Sequence, residues 1–211
     1  MRALLIHYST DYVFDGSKAS PWIESDEPSP INAYGSSKLV GEEAVAAKGG
    51  RHYIFRTSWV YAQHGSNFLR TVLRLASERE ELRIIDDQVG GPTSARMIAE
   101  ATALAIGSCV DLRAGAERND RPEYGLYHLT CAGQTSWFGF AQEFLQWVAA
   151  RRPNQKIARC VPIPSSEYPL PARRPRNSVL SNQKLKRGFG LKLPEWRTAL
   201  HWVLEEMYPK P

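Results

Sequence analysis

Apolar residues alternate along this chain between short continuous runs and stretches with helical spacing. The runs RALLIHY (2–8), HYIFRTSW (52–59), LRII (82–85) and GLYHL (125–129) predict buried strands. Apolar residues recur every three or four positions in segments that predict helices over 32–47, 66–79, 94–106, 135–150 and 194–207. Strands that alternate with helices predict an α/β fold, in which helices flank a parallel sheet.

The positive charge of the chain is concentrated in one region. Between Arg151 and Lys192 there are eleven lysines and arginines and one acid, Glu167. Such a segment can bind nucleic acid, an anionic membrane or a phosphorylated small molecule, or it is a solvated basic face. Prolines between the arginines, as in PARRPRNS (171–178), favour a shaped anion pocket within a looped, substrate-side region over 153–178.

Composition and cysteine usage indicate a globular protein in a reducing compartment. Hydrophobic residues make up 43% of the 211 residues, and the apolar runs are too short to span a bilayer. The three cysteines, Cys109, Cys131 and Cys160, are far apart and odd in number. They predict neither a disulfide framework nor a metal site. We therefore expect a cytoplasmic protein.

Tyr34 and Lys38 are candidates for acid–base chemistry. They are four residues apart at the start of a predicted helix, so their side chains share one face, one turn apart. A free tyrosine has a pKa near 10, and a nearby ammonium favours the phenolate and lowers that pKa. Such a tyrosine can donate its proton to a carbonyl oxygen. The spacing alone also occurs on ordinary exposed helix turns.

Thr10 strengthens this interpretation. It follows the apolar run LLIHYS (4–9), so its hydroxyl is expected at the carboxyl end of a strand, where ligands of open α/β sheets bind. A hydroxyl beside the tyrosine can hydrogen-bond a substrate carbonyl and orient it. Thr10, Tyr34 and Lys38 therefore form a plausible carbonyl-reduction triad. On its own, Thr10 would be interpreted as a strand-end cap.

These residues belong to a series of motifs that resembles one family. STDYVFDG (9–16), SPINAYGSSKLVGEE (29–43), RTSWVY (56–61), DDQVGGPTSA (86–95) and PARRPRNSVL (171–180) are similar to successive blocks of the dTDP-4-dehydrorhamnose reductases. This family belongs to the extended short-chain dehydrogenase/reductase superfamily. The resemblance implies a Rossmann-like fold with a small substrate-binding lobe. It also implies NAD(P)H-dependent reduction of the C4 keto group of dTDP-4-dehydro-L-rhamnose to give dTDP-L-rhamnose. The partner it implies is this dTDP-sugar, and neither nucleic acid nor a membrane.

The resemblance also implies site residues. Thr10, Tyr34 and Lys38 match the catalytic triad, and Tyr34 and Lys38 also match the positions beside the nicotinamide ribose. The residues implied to bind the substrate are Tyr12, Trp59, Asn67, Gln88, Arg173, Arg174 and Asn177. The two aromatic residues would contact the apolar face of the deoxysugar, or they pack in the core. The arginine pair suits a diphosphate, whereas Asn67 and Gln88 contact the substrate or satisfy a loop backbone.

One motif of the family is missing from this sequence. None of the fifteen glycines gives the GxxGxxG-like turn that binds the coenzyme pyrophosphate. We therefore expect the C-terminal part of a reductase, with the remaining dinucleotide-binding core at 1–60. The mixed remainder, which includes the sugar-nucleotide lobe, is expected at 61–211. NADPH or NADH is implied by resemblance alone, as is magnesium, which links the dimers of some relatives.

In such a chain RALLIHY (2–8) would form an exposed sheet edge, so we expect a homodimer or a second chain that supplies the missing half. Two functional classes remain open. The retained triad favours a reductase, whereas the missing turn favours a non-catalytic sugar-nucleotide-binding or regulatory protein. The regulatory subunit of methionine adenosyltransferase is a precedent for the second class. A remnant, or a wrongly placed start codon, is a third explanation.

Overall fold

The computed structural model describes residues 3–108, 122–168 and 171–209. Strands and helices alternate along the chain, as the apolar pattern predicts. In chain order they are β1 (Leu5–Thr10), α1 (Ala33–Lys48), β2 (His52–Thr57), β3 (Val60–Tyr61), α2 (Phe68–Glu78), β4 (Glu81–Ile85), β5 (Val89–Gly90), β6 (Thr93–Ser94), α3 (Ala95–Gly107), β7 (Gly125–His128), β8 (Thr135–Ser136), α4 (Trp137–Arg151), β9 (Arg159–Ile163), α5 (Gln183–Phe189) and α6 (Trp196–Met207).

A three-stranded parallel sheet, in the order β1-β2-β7, organises the site. The pairing of β1 with β2 runs to the last residue of both strands, where Thr10 lies opposite Thr57. Strands β3–β6 and β4–β9 also pair in parallel, and β5–β8 pairs antiparallel. The parallel sheet with flanking helices confirms the predicted fold class. Ligands of such sheets bind at the carboxyl ends of the strands, which is where Thr10 lies.

Polar side chains fix where the helices begin. Asn32, Asn67, Ser94 and Ser136 each accept a hydrogen bond from a backbone N–H in the first turn of α1, α2, α3 and α4, respectively. These caps satisfy amide groups that have no partner within the helix. The predicted helices are confirmed, with boundaries that shift by one or two residues. The largest shifts are at the starts of α2, α4 and α6, each of which begins two residues later than predicted.

The prediction missed one strand and one helix in the basic region. Strand β9 lies within 153–178, which was predicted to be a loop, and α5 follows it. Pro162 interrupts the apolar pattern of β9, and a proline is tolerated in a sheet only at an edge or a bulge. β9 is such an edge, because it pairs with β4 alone among the described strands.

Two apolar clusters hold the elements together. In the larger one, α4 packs against α2, α6, β4 and β9, and its Phe140, Phe144 and Val148 are fully buried. In the smaller one, Val13, Phe14 and Trp22 pack against Leu180 of the C-terminal segment. β7 belongs to the second predicted domain yet completes the first sheet, and the division at residue 60 stays a prediction.

No described helix combines the length and the apolar character needed to cross a bilayer. Cys131 and Cys160 are free thiols, and burial raises the pKa of both, to about 12 for Cys131. Cys109 lies outside the described residues. Within the described ranges, no group of three or more His, Cys, Asp or Glu side chains is arranged to hold a metal ion. The cytoplasmic location stays a prediction.

Candidate functional site

Two members of the predicted triad, Thr10 and Tyr34, meet at the carboxyl edge of the sheet. Thr10 and Tyr34 line one cavity of about 280 Å³, which we call the tyrosine cavity. Its walls come from the ends of β1 and β2, from α1 and from the start of α2 and α4. The lining residues are Thr10, Asp11, Tyr12, Tyr34, Thr57, Trp59, Val60, Tyr61, Phe68, Trp137 and Phe140.

Helix α1 carries Tyr34 at the cavity and Lys38 one turn further on. The Tyr34 side chain is 57% exposed, so a ligand can reach it. Lys38 Nζ donates a hydrogen bond to the backbone carbonyl of Tyr8 in β1, which fixes the ammonium beside the sheet. A Cβ added at Gly35 would lie 2.1 Å from the Tyr12 carbonyl oxygen. A glycine is therefore required for the first turn of α1 to lie this close to the end of β1.

Asp11 is a buried carboxylate directly beside Thr10. Thr10 Oγ1 donates to one carboxylate oxygen over 3.0 Å, and Ser58 Oγ donates to the other over 2.9 Å. Burial raises the pKa of Asp11 to about 6, although hydrogen bonds from Ser178, Ser58 and Thr10 oppose this rise. The carboxyl is therefore ionised at neutral pH, at a cost in folding free energy.

We expect the stability of an Asp11→Asn variant, relative to the unchanged protein, to depend on pH. The folded-state pKa of Asp11, about 6, exceeds its ordinary value of 3.8, so its favourable contribution is complete below about pH 4 and is lost as the pH rises through 6. Asparagine does not titrate. Between about pH 4 and about pH 7.5, the free energy of unfolding of the variant, relative to that of the unchanged protein, should therefore rise by on the order of 3 kcal/mol. Urea unfolding at both pH values measures the gain, and a pH-independent difference would contradict it.

Trp59 forms one wall of the tyrosine cavity. Its ring stacks on Trp137, with 3.5 Å between ring centroids and 3° between ring planes. Its backbone φ is +47°, the one positive φ outside glycine in the described ranges. A Cβ added at Gly90 would lie 2.4 Å from Trp59 Cε2. The bare backbone of Gly90 and the strained backbone of Trp59 together place the indole here.

Tyr12 lies beside the triad. Its ring meets that of Tyr34 edge to face at a centroid distance of 6.1 Å. Burial, followed by the negative charge of Asp11, raises the pKa of Tyr12 to about 12, and the charge of Arg174 opposes the rise. Tyr12 therefore keeps its proton at neutral pH and is a poor acid there. Tyr12 lies on the cavity wall, and its contact with a sugar stays a prediction.

The three predicted amide contacts have different surroundings. Asn67 caps α2 and donates to the carbonyls of Ala62 and His64, so its described bonds are those of a loop. The Asn177 amide donates to two backbone carbonyls of the N-terminal loop, at 2.7 Å and 3.2 Å. Gln88 is buried. None of the three lines the tyrosine cavity. Their contact with a substrate stays a prediction.

A second, larger concavity of about 560 Å³ adjoins the tyrosine cavity, and the two share Phe68 and Trp137. We call it the side groove. It is lined by Phe68, Thr71, Val72, Leu75, Arg79, Glu81, Leu82, Arg83, Ile84, Ile85, Trp137, Ile163, Tyr168 and Arg174. Arg174 lies near both concavities. It lines the side groove, and its positive charge acts to lower the pKa of Tyr12 in the tyrosine cavity. Arg173 is exposed, and its backbone carbonyl accepts a hydrogen bond from Asn32 at the start of α1.

Sequence reasoning missed seven of the residues that line the tyrosine cavity, among them Asp11, Phe68 and Trp137. Asp11 could have been predicted from the sequence, because an acid that directly follows the predicted strand must lie at its carboxyl end beside Thr10. No sequence pattern indicated Phe68 or Trp137, because each occupies an ordinary apolar position at the start of a predicted helix. Only the packing of α2 against α4 brings both rings to the tyrosine cavity.

Comparison with known proteins identifies the same family as the motifs. The family model described as the RmlD substrate binding domain matches residues 1–208. The dTDP-4-dehydrorhamnose reductase of Burkholderia thailandensis is 55% identical over 206 residues, which cover 97% of this chain and 68% of that protein. The enzyme of the same name from Escherichia coli strain K12 is 45% identical, with 98% of this chain and 66% of that protein covered.

Solved structures agree. The dTDP-4-dehydrorhamnose reductase of Bacillus anthracis, in complex with NADP, superposes with a TM-score of 0.83 at 34% identity. A related reductase from Clostridium acetobutylicum gives a TM-score of 0.84 at 36% identity. Each match covers 97% of this chain and 66% of the other. The chain therefore spans about two thirds of the length of these relatives.

Proposed function

This chain belongs to the dTDP-4-dehydrorhamnose reductase family, and from that premise we propose that it carries the catalytic and sugar-nucleotide-binding part of such a reductase. The reaction is reduction of the C4 keto group of dTDP-4-dehydro-L-rhamnose to the alcohol of dTDP-L-rhamnose. The observation that supports this most directly is the meeting of Thr10 and Tyr34 in one accessible cavity, with Lys38 one helical turn away.

In this proposal each side chain has a distinct task. Tyr34 donates its phenolic proton to the C4 oxygen of the sugar. The Lys38 ammonium favours the phenolate that remains, because an opposite charge nearby stabilises the ionised form. The stacked rings of Trp59 and Trp137 offer an apolar surface to the deoxysugar.

A nicotinamide coenzyme, NADPH or NADH, would supply the hydride for C4. Tyr34 and Lys38 fit its ribose end, because the Lys38 ammonium uses one donor on the Tyr8 carbonyl and has two left for ribose hydroxyls. The glycines of the sequence offer no turn for its pyrophosphate. No group within the described ranges has the donor set of a magnesium site, so magnesium stays an expectation from the resemblance.

Titration of the purified chain with NADPH, followed by nicotinamide fluorescence with and without dTDP-L-rhamnose, tests the proposal. Saturable coenzyme binding supports a reductase. The absence of the glycine turn favours a second candidate, a protein that binds the sugar nucleotide without turnover. Sugar-nucleotide binding by calorimetry without coenzyme binding would support that candidate, and binding of neither ligand would contradict both.

The two adjoining concavities suit the two halves of a sugar nucleotide. The tyrosine cavity is the size of a small ligand subsite and holds the triad, so we place the deoxysugar there. The side groove has mainly apolar walls and shares Phe68 and Trp137 with the cavity, so we place the nucleoside there. Arg174, near both, is placed at the diphosphate, which guanidinium groups bind well.

Arg174→Ala is accordingly expected to weaken the binding of dTDP by about 10- to 100-fold, the range for losing one charge-assisted hydrogen bond. Calorimetry with dTDP measures the change. Arg176→Ala is the matched control, because Arg176 is exposed in the same segment and lines neither concavity. Equal affinities for the two variants would remove Arg174 from the diphosphate site.

A partner along β1 also remains part of the proposal, either a second copy or a chain that supplies further strands. One edge of β1 pairs with β2, and its other edge pairs with no described strand. Leu5 and Tyr8 of this strand are 50% and 42% exposed. Exposed edges of this kind readily pair with another chain. A monodisperse monomer in light scattering would exclude the homodimer.

A further inference from the structure

Trp59 has a backbone conformation that its surroundings must hold. Its φ of +47° lies in the left-handed region, which a bulky side chain adopts only where the rest of the structure enforces it. The Trp59 carbonyl accepts a hydrogen bond from the backbone N–H of Thr93 over 3.3 Å, which fixes the peptide after Trp59. This bond does not restrict the side-chain torsions, so the indole needs a separate contact to stay on the wall of the tyrosine cavity.

Trp137 makes that contact. The two indoles are stacked, with 3.5 Å between ring centroids and 3° between ring planes, so one face of the Trp59 ring is covered by Trp137. The Trp137 ring also lies against Phe68, at a centroid distance of 4.6 Å. Both Trp137 and Phe68 line the side groove as well as the tyrosine cavity. The Trp59 ring is therefore supported by the aromatic wall that the two concavities share.

The fold holds Trp137 in place independently of Trp59. Trp137 is the first residue of α4, and Ser136 before it caps the helix by accepting a backbone N–H over 2.9 Å. The Ser136 hydroxyl also donates a hydrogen bond to Asp86. β8, which ends at Ser136, pairs with β5, the strand in which the bare backbone of Gly90 leaves room for the Trp59 ring. One strand pair therefore places both Trp137 and the glycine against the Trp59 indole.

We propose that Trp137 is a positioning residue, which holds the Trp59 indole in the orientation that contacts the sugar and thereby raises the affinity for the sugar moiety. The inference rests on the proposed function, which places the deoxysugar in the tyrosine cavity. Trp137 acts through Trp59 rather than on the ligand. Two other roles give different results. If Trp137 contacted the sugar itself, its effect would be independent of Trp59. If it only packed in the core, its loss would change stability and leave the contribution of the sugar to binding unchanged.

The test is a double-mutant cycle in sugar affinity. Calorimetry with the full chain gives the Kd of dTDP and the Kd of dTDP-L-rhamnose, and the first divided by the second is the sugar ratio. Because the nucleotide is common to both ligands, a change in the sugar ratio reports on the sugar even where a variant also weakens nucleotide binding. The variants are Trp59→Ala, Trp137→Ala, the double variant, and Trp137→Phe, which can still stack on the indole. Trp202→Ala is the matched control, because Trp202 is exposed on α6 and lines neither concavity.

We expect the sugar ratio to fall about tenfold in Trp59→Ala and in Trp137→Ala, the worth of one aromatic contact, and to fall no further in the double variant. Trp137→Phe should keep the ratio within about threefold of that of the unchanged chain, and Trp202→Ala should not alter it. If Trp137→Ala does not fold, Trp137→Leu, which is apolar but has no ring to stack, takes its place in the cycle. A ratio that the loss of Trp137 leaves unchanged, or losses that add in the double variant, overturn the inference alone. Binding of neither ligand overturns the proposed function, and the inference with it.

Discussion

Replacement of Glu42 by alanine is expected to lower the free energy of unfolding by about 3–5 kcal/mol. Glu42 lies on α1 and forms two hydrogen bonds with the Arg56 guanidinium in β2, at 2.9 Å and 2.6 Å. The two side chains are 6% and 2% exposed. Without Glu42, the Arg56 charge stays buried, and among the described residues its favourable neighbour is the Phe14 ring, 5.0 Å away. The expected loss is a large part of the stability of a typical domain.

Urea unfolding of three proteins makes this prediction specific. Glu43→Ala is the matched control, because Glu43 is the exposed neighbour on the same helix and its loss should change stability by about 0.5 kcal/mol or less. The double variant Glu42→Leu, Arg56→Met removes both charges together and should recover much of the loss. If Glu42→Ala and Glu43→Ala are equally stable, the buried pair does not anchor α1.

The Glu42–Arg56 ion pair also helps to position the helix that carries Tyr34 and Lys38. Glu42 lies four residues after Lys38 and eight after Tyr34, so the three side chains share one face of α1. The ion pair with Arg56 therefore ties the helix that bears Tyr34 and Lys38 to the strand that ends at Thr57. We expect ligand binding in the tyrosine cavity to weaken together with stability in Glu42→Ala.

The second large effect is expected for Tyr34→Phe, which, in a reconstituted active form of the proposed reductase, should lower kcat for reduction of dTDP-4-dehydro-L-rhamnose by about 10²-fold or more. The substitution removes one hydroxyl and keeps the ring against Tyr12. Since the Tyr34 side chain is 57% exposed, the fold should not change. The measurement is the rate of NADPH oxidation at saturating substrate.

Tyr124→Phe is the control for the chemical change itself. Tyr124 is also exposed, and its hydroxyl accepts a hydrogen bond from Arg51 Nε at a position that does not line the tyrosine cavity. Its rate should match that of the unchanged chain. The proposal also requires Tyr34→Phe to bind dTDP-L-rhamnose almost normally. Near-normal turnover in Tyr34→Phe would exclude Tyr34 as the proton donor.

Local patterns were sufficient for much of the fold. The apolar run before Thr10 and the spacing of Tyr34 and Lys38 predicted a strand end and a helix face, and the structure contains both. These features depend on neighbours within a few residues, so they can be predicted from the sequence. β9 was missed because Pro162 interrupts the apolar pattern of a strand that is held by its pairing with β4.

The site was predictable only where its residues belong to local motifs. Trp137 reaches the tyrosine cavity because α4 packs on α2. Gly90 has no side chain, which leaves room for the Trp59 ring that stacks on Trp137. These contacts join residues that are tens of positions apart, and no local spacing encodes them. Likewise, the Asn177 amide donates hydrogen bonds to the backbone carbonyls of Lys18 and Ser20, and no local pattern predicts that these residues lie beside Asn177.

The Trp59–Trp137 stack gives the protein an optical property of its own. Two indoles with 3.5 Å between their centroids and nearly parallel planes are coupled chromophores, whose excited states mix. Such a pair produces a couplet in circular dichroism, with a sign and size set by the relative orientation of the rings. Because both rings line the tyrosine cavity, a bound sugar that moves either of them alters this couplet. Occupancy of the site can therefore be followed spectroscopically without any label.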